Sequence, residues 1–248
     1  DDVLAFLRSR RGLLDGVVFS GGEPTAQPRL ADAMREVRSL GFAIGSLCFA
    51  IGACPGYLNL VGQEAANVTF FIGSIFFTTA GFIQFRLTGR WRRGAWTSKS
   101  AWADWWSAAV QFAGTICFNI SCFFALFLQI SPTQAHHVVW RPDAVGSLFF
   151  LISSSLAIAA TTHTDSLWDP DARNWWSTWL NMAGSVAFGI SAIAAYVVPD
   201  TTDPLSSQWV NLGTFIGAIC FMVAPLLVKP HIKGPRSAHP ELVQPRKA

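Results

Sequence analysis

Charge is the scarcest thing in this chain. Of 248 residues only 13% are Asp, Glu, Lys or Arg, against about a quarter in ordinary soluble domains. The net charge of +3 is too small to argue for nucleic acid, and no basic stretch is interleaved with stacking aromatics as a nucleic-acid surface requires. None of the long apolar runs has an ionisable residue at its centre. Intramembrane carboxylates and amines are the usual mark of ion or proton coupling, so their lack argues against a coupled transporter or pump. The five cysteines contain no C-x-x-C pair, and Cys48, Cys54, Cys117, Cys122 and Cys220 all fall in apolar runs. They read as small packing residues, not as a disulfide framework or metal site. His136-His137, and His163 with Asp165, Asp169 and Asp171, have metal-ligand residue types without metal spacing, so no metal is expected. No Ser/His/Asp or Cys/His arrangement and no phosphate loop is present.

What the chain has instead is apolar sequence, 51% of its residues, and a phrase that recurs in it six times. Gly45-Ser-Leu-Cys-Phe49, Gly73-Ser-Ile-Phe-Phe77 and Gly114-Thr-Ile-Cys-Phe118 are the first three copies. Gly146-Ser-Leu-Phe-Phe150, Gly184-Ser-Val-Ala-Phe188 and Gly217-Ala-Ile-Cys-Phe221 are the others. A small residue stands three places after each Phe: Gly52, Ala80, Ser121, Ser153, Ser191 and Ala224. Offsets of 0, 4 and 7 share one helix face. Each copy lies in a run about long enough to cross a bilayer.

The expected fold is therefore an all-α membrane protein with six transmembrane helices. The spans are placed near 41–61, 66–86, 105–129, 144–162, 175–197 and 209–228. Trp105-Trp106-Ser107 before Gly114 matches Trp175-Trp176-Ser177 before Gly184, 70 residues on; Gly146 and Gly217 are 71 apart. The unit is a two-helix hairpin, present three times in parallel. Arg29, Arg35 and Arg38 precede the first span, Arg86, Arg90, Arg92, Arg93 and Lys99 fill the loop after the second, and Lys229, Lys233 and Arg236 follow the sixth. The positive-inside rule then puts both termini in the cytoplasm of a bacterial inner membrane. Trp105, Trp106, Trp175 and Trp176 would mark the inner interface, and Trp140 and Trp209 the outer one.

Helices in lipid gain little from apolar burial against one another and rely on close approach. The six glycines and six phenylalanines are thus expected to be a packing code. Among mid-membrane polar residues, Gln111 and Asn181 hold equivalent repeat positions. They read either as inter-helix hydrogen bonds or as a polar pair facing a ligand.

The flanks differ. Residues 1–42 read as a short α/β fragment: an apolar strand Gly16–Ser20, a turn Gly21-Gly22-Glu23-Pro24-Thr25, and a helix opened by Pro28. Residues 229–248, with Pro230, Pro235, Pro240 and Pro245, read as a disordered cytoplasmic tail. Val17–Thr25 followed by Gln27-Pro28 resembles the Gly-Gly-Glu motif region of radical S-adenosylmethionine enzymes, of the type that activates anaerobic ribonucleotide reductase. The resemblance implies that Gly21, Gly22 and Glu23 contact the amino group of S-adenosylmethionine. The family's cysteine triad for an iron–sulfur cluster does not occur in this sequence, so neither cofactor is expected unless a triad lies upstream. Residues 43–228 resemble the YrhK-like bacterial integral membrane proteins. That resemblance is carried by the Gly-Ser-x-x-Phe phrases, by Thr69-Phe70-Phe71-Ile72-Gly73-Ser74, and by Trp140-Arg141-Pro142-Asp143 before Gly146.

The resulting expectation is a non-catalytic component that is structural, sensing or partner-binding. Its partners are the lipid bilayer and either a second copy or another membrane protein. The alternatives are a permease or channel for a neutral small molecule, and a membrane-attached fragment of a radical S-adenosylmethionine enzyme.

Overall fold

The computed structural model describes residues 28–88, 99–127, 132–161, 174–197 and 204–227. The Gly21-Gly22-Glu23 turn, the predicted strand before it and the Pro-rich tail lie outside those residues. The described chain is helical, with one isolated antiparallel bridge between Val197 and Pro204. Its helices are α1 (Pro28–Ala53), α2 (Tyr57–Leu87), α3 (Lys99–Phe127), the single turn α4 (Pro132–Ala135), α5 (Arg141–Thr161), α6 (Trp175–Ala194) and α7 (Ser207–Leu227). A π-helical turn, His136–Trp140, joins α4 to α5.

Five of the six long helices are long and apolar enough to cross a membrane: α1, α2, α3, α5 with its π-turn, and α7. The sixth, α6, is 20 residues long and carries Trp175, Trp176, Trp179 and Asn181 in its first half, which dilutes its hydropathy. Large apolar side chains such as Leu47, Ile75, Ile116, Leu148, Ile190 and Ile216 point outward. Small residues and Phe are inside, and the helices expose to their surroundings the surface that lipid accepts.

Each long helix packs on its neighbours in sequence, and α1 also packs on α7, so the six close into a ring. The hydrogen bonds fix the directions. Ser100 reaches Ala160, Ser107 reaches Ser153 and Ser121 reaches Val139, so α3 and α5 run antiparallel. Gln84 meets Gln111 while Asn67 meets Ala125, which makes α2 and α3 antiparallel as well. One end of the ring therefore gathers the N-termini of α1, α3 and α6 and the C-termini of α2, α5 and α7.

Contacts are more extensive within the pairs α1/α2, α3/α5 and α6/α7 than between them. The glycines of the repeated phrase explain why. A Cβ added to Gly45 would lie 2.8 Å from the Gly73 carbonyl oxygen, and one on Gly73 would lie 2.9 Å from that of Gly45. Gly114 and Gly146 face each other in the same way at 3.2 and 3.1 Å, and Gly184 and Gly217 at 3.1 and 3.0 Å. Each pair thus crosses glycine on glycine, backbone against backbone, as small-residue helix interfaces in lipid do. The Ser or Thr after each glycine is buried: Ser46, Ser74, Thr115, Ser147 and Ser185 are all at most 3% exposed.

Two boundaries differ from those drawn on the sequence. The first span ends at Ala53, not at 61, because Cys54-Pro55-Gly56 makes the turn and Gly56 takes a left-handed φ of 85°. Glycine adopts that region without the Cβ clash that other residues suffer. Residues 57–61 belong instead to α2, which breaks at Gly62 (φ 83°) and resumes, so Glu64 lies in a helix and not in a loop. At the other end, α1 begins at Pro28, runs unbroken through Phe42 and brings Arg35 and Arg38 into the ring.

Candidate functional site

The phenylalanines of the phrase converge on the ring axis. Phe77, Phe150 and Phe221, from α2, α5 and α7, form a triangle with ring centroids 6.0, 5.8 and 5.5 Å apart. In a second layer Phe188 lies 6.1 Å from Phe49 and 5.7 Å from Phe118. The layers are linked within each helix pair, Phe49–Phe77 at 6.2 Å, Phe118–Phe150 at 5.0 Å and Phe188–Phe221 at 5.6 Å. All six are at most 8% exposed. The gap left among Phe49, Phe77, Phe118, Phe150 and Phe188, which Thr115 also lines, is about 10 Å³. That is at the lower limit for a single water and offers it almost no polar partner. The axis is plugged there by a dry aromatic block.

On one side of the plug lies a cavity of about 530 Å³. Its floor includes Phe77 and Phe221, and its walls come from the end of the ring that holds the N-termini of α1, α3 and α6. The walls repeat in register. Three residues before each of Gly45, Gly114 and Gly184 stand Phe42, Gln111 and Asn181; seven before stand Arg38, Ser107 and Ser177; ten before stand Arg35, Asp104 and Asn174. All nine line the cavity. Asn174 holds its place at the start of α6 with a left-handed φ of 69°, a region asparagine tolerates better than most residues.

Several wall groups are tied to each other. Ser107 and Ser153 exchange hydroxyl-to-carbonyl bonds of 2.9 and 2.8 Å. Ser154 and Ser185 share a bond of 2.8 Å, and Ser185 also donates to the carbonyls of Phe150 and Asn181 at 3.2 and 2.8 Å. Gln84 donates to the side chain of Gln111 at 2.8 Å. A little deeper, Asn119 donates to Thr78 at 3.0 Å, and Thr78 to the Thr115 carbonyl at 3.1 Å. The seams α2/α3 and α5/α6 are stitched in this way. The seam α1/α7 carries no side-chain hydrogen bond among the described residues. It contains Ser46, whose buried hydroxyl has no partner, and α7 carries Pro225 in its last turn. Pro225 has no N–H to offer the Phe221 carbonyl.

The sequence-predicted residues fall as follows. The six glycines sit at the three pair crossings and the six phenylalanines on the axis. Gln111 and Asn181 are brought to one cavity, with Gln111 already bonded across to α2. Arg38 entered the sequence reading only as a charge before the first span, and Asp104 and Asn174 not at all, because all three lie just ahead of the apolar runs placed at 41, 105 and 175. The register of the phrase, continued upstream of each glycine, is the signal that would have found them. Among the described residues no three His, Cys, Asp or Glu side chains cluster to hold a metal ion, and the five cysteines are free thiols.

No family model, curated protein or solved structure matches the chain. The two family resemblances rest on the residues quoted for them.

Proposed function

We propose that this multi-pass membrane protein forms a passage for a small polar solute, closed at its middle by the six phenylalanines. The observation that carries this reading is the 530 Å³ cavity on the ring axis, lined mainly by hydroxyl and amide groups and ending on an aromatic floor. A purely structural or partner-binding bundle would fill its axis. In this ring the axis is roomy and polar on one side and dry in the middle, the arrangement of a pore closed by a hydrophobic constriction.

The finer topology belongs to the same proposal. All six long helices span, including α6, because α6 occupies a place in the ring equivalent to α3 and carries the same Gly–Gly crossing. The three pairs are copies of one hairpin. With the loop Arg and Lys residues inside, the cavity faces the cytoplasm of a bacterial inner membrane.

The test is solute flux. Wild-type protein and a sixfold variant with Phe49, Phe77, Phe118, Phe150, Phe188 and Phe221 all changed to Ala are placed in liposomes, and light scattering follows glycerol and urea after an osmotic step. The variant should conduct at least about tenfold faster than both the wild type and protein-free liposomes, since alanine leaves a gap wide enough to wet. A sixfold variant that folds and stays as tight as protein-free liposomes would overturn the passage reading.

A further inference from the structure

Three charged side chains line the cavity: Arg35, which is paired with Asp32, and Arg38 and Asp104, which are opposite in sign and not paired with each other among the described residues. Arg38 stands on α1 and Asp104 on α3, and both line the cavity. Those helices are not neighbours in the ring; α2 lies between them. Both therefore reach the cavity from either side of α2, whose Gln84 lines it as well, as does Thr88 just past the end of that helix. Each feels the other's charge, yet they form no ion pair. The ion pair among the described residues is that of Arg35 with Asp32, one helical turn apart and exposed. Arg38 is half-buried and Asp104 exposed, so Arg38 above all lacks a full partner for the water it has lost. A solute that brings a negative group to Arg38 and a positive group to Asp104 would complete both. A simple anion would meet Asp104 as well as Arg38, and a simple cation the reverse, so each loses on one wall part of what it gains on the other. The side-chain amide of Asn181, which has no hydrogen-bond partner among the described residues, stands nearer the floor with Gln111 and can orient the polar body of the solute.

The geometry points to a small zwitterion of zero net charge as the solute of this cavity, its carboxylate held by Arg38 and its ammonium by Asp104. This rests on the passage reading but is tested by binding, so the two can fail separately. Protein in nanodiscs is titrated by calorimetry with glycine, 4-aminobutyrate and 6-aminohexanoate, a series of increasing charge separation. Acetate, propylamine and glycerol serve as single-charge and uncharged probes. At least one zwitterion should bind about tenfold tighter than any of these three, a difference of roughly 1.4 kcal/mol. Arg38→Gln and Asp104→Asn should each remove that preference. If no zwitterion binds tighter than glycerol, or if both folded variants keep the preference, the assignment is wrong. The probe series on the unaltered protein decides even where a variant fails to fold. Glycerol flux through the sixfold phenylalanine variant with no zwitterion binding would overturn this inference alone. Zwitterion binding without flux would overturn the passage alone.

Discussion

The glycine crossings can be tested where they are tightest. A Cβ on Gly45 would sit 2.8 Å from the Gly73 carbonyl oxygen and 3.0 Å from the Phe77 nitrogen. Both are backbone atoms, so no side-chain rotation can relieve the clash, and α1 and α2 must separate. Overpacking of this kind costs about 1–3 kcal/mol. Against it stands the higher helix propensity of Ala, worth up to about 1 kcal/mol in water. Gly45→Ala should therefore lose on the order of 1–2 kcal/mol. Gly189 is the internal control: it is on the same kind of helix, but the nearest atom to an added Cβ is Leu151 Cδ1 at 3.4 Å, an ordinary contact. Gly189→Ala should be neutral or slightly stabilising. Gly73→Ala should resemble Gly45→Ala, and the double variant should cost less than the two together, because both push apart one crossing. Unfolding by SDS titration in mixed micelles, followed by circular dichroism, measures all four. Equal stability of Gly45→Ala and Gly189→Ala would refute the argument that backbone approach holds the pairs.

Three further outcomes follow from the same geometry. Ser107→Ala breaks the reciprocal bonds with Ser153 and should lose about 0.5–1.5 kcal/mol. In the same titration the Ser107→Ala, Ser153→Ala double variant should lose less than the two singles added, and strict additivity would count against a shared bond. Ser177→Cys, in a background where exposed Cys54 is Ala, should react with a membrane-impermeant maleimide offered from the cytoplasmic side; silence towards the reagent would mean the cavity is not water-filled. A cytoplasm-active reporter fused at Ala95 should be active and one at Ala135 inactive, and the reverse pattern would turn the cavity to the outer side of the membrane.

The recurrence of Gly, Phe and a small residue made much of the fold legible. Offsets of 0, 4 and 7 put these residues on one helix face whatever the surroundings, and the apolar runs gave the number and approximate place of the helices. Helix ends were less legible. The turn at Cys54-Pro55-Gly56 was absorbed into a long apolar run because hydropathy does not register a change of direction. The helix opened by Pro28 is there, but it runs on into the first span as α1, and α3 starts before its apolar run, because hydropathy marks the apolar part of a helix and not its polar continuation.

The candidate site was legible only in pieces. Gln111 and Asn181 stood out as polar residues at matching repeat positions, but Arg38 read as a charge before the first span and Asp104 had no reading at all. The phenylalanines read as packing knobs, which describes their contacts but not their place on the axis.

The sequence by itself determined which residues share a helix face, because helical periodicity is a local property of the chain. What only the tertiary structure decided was where those faces point. Glycine met glycine within each pair, which turned the phenylalanines inward to the axis. The contact of α1 with α7 then closed the ring and left space above the plug. Ring closure is a long-range event between the first and last helices, and no window of sequence contains both.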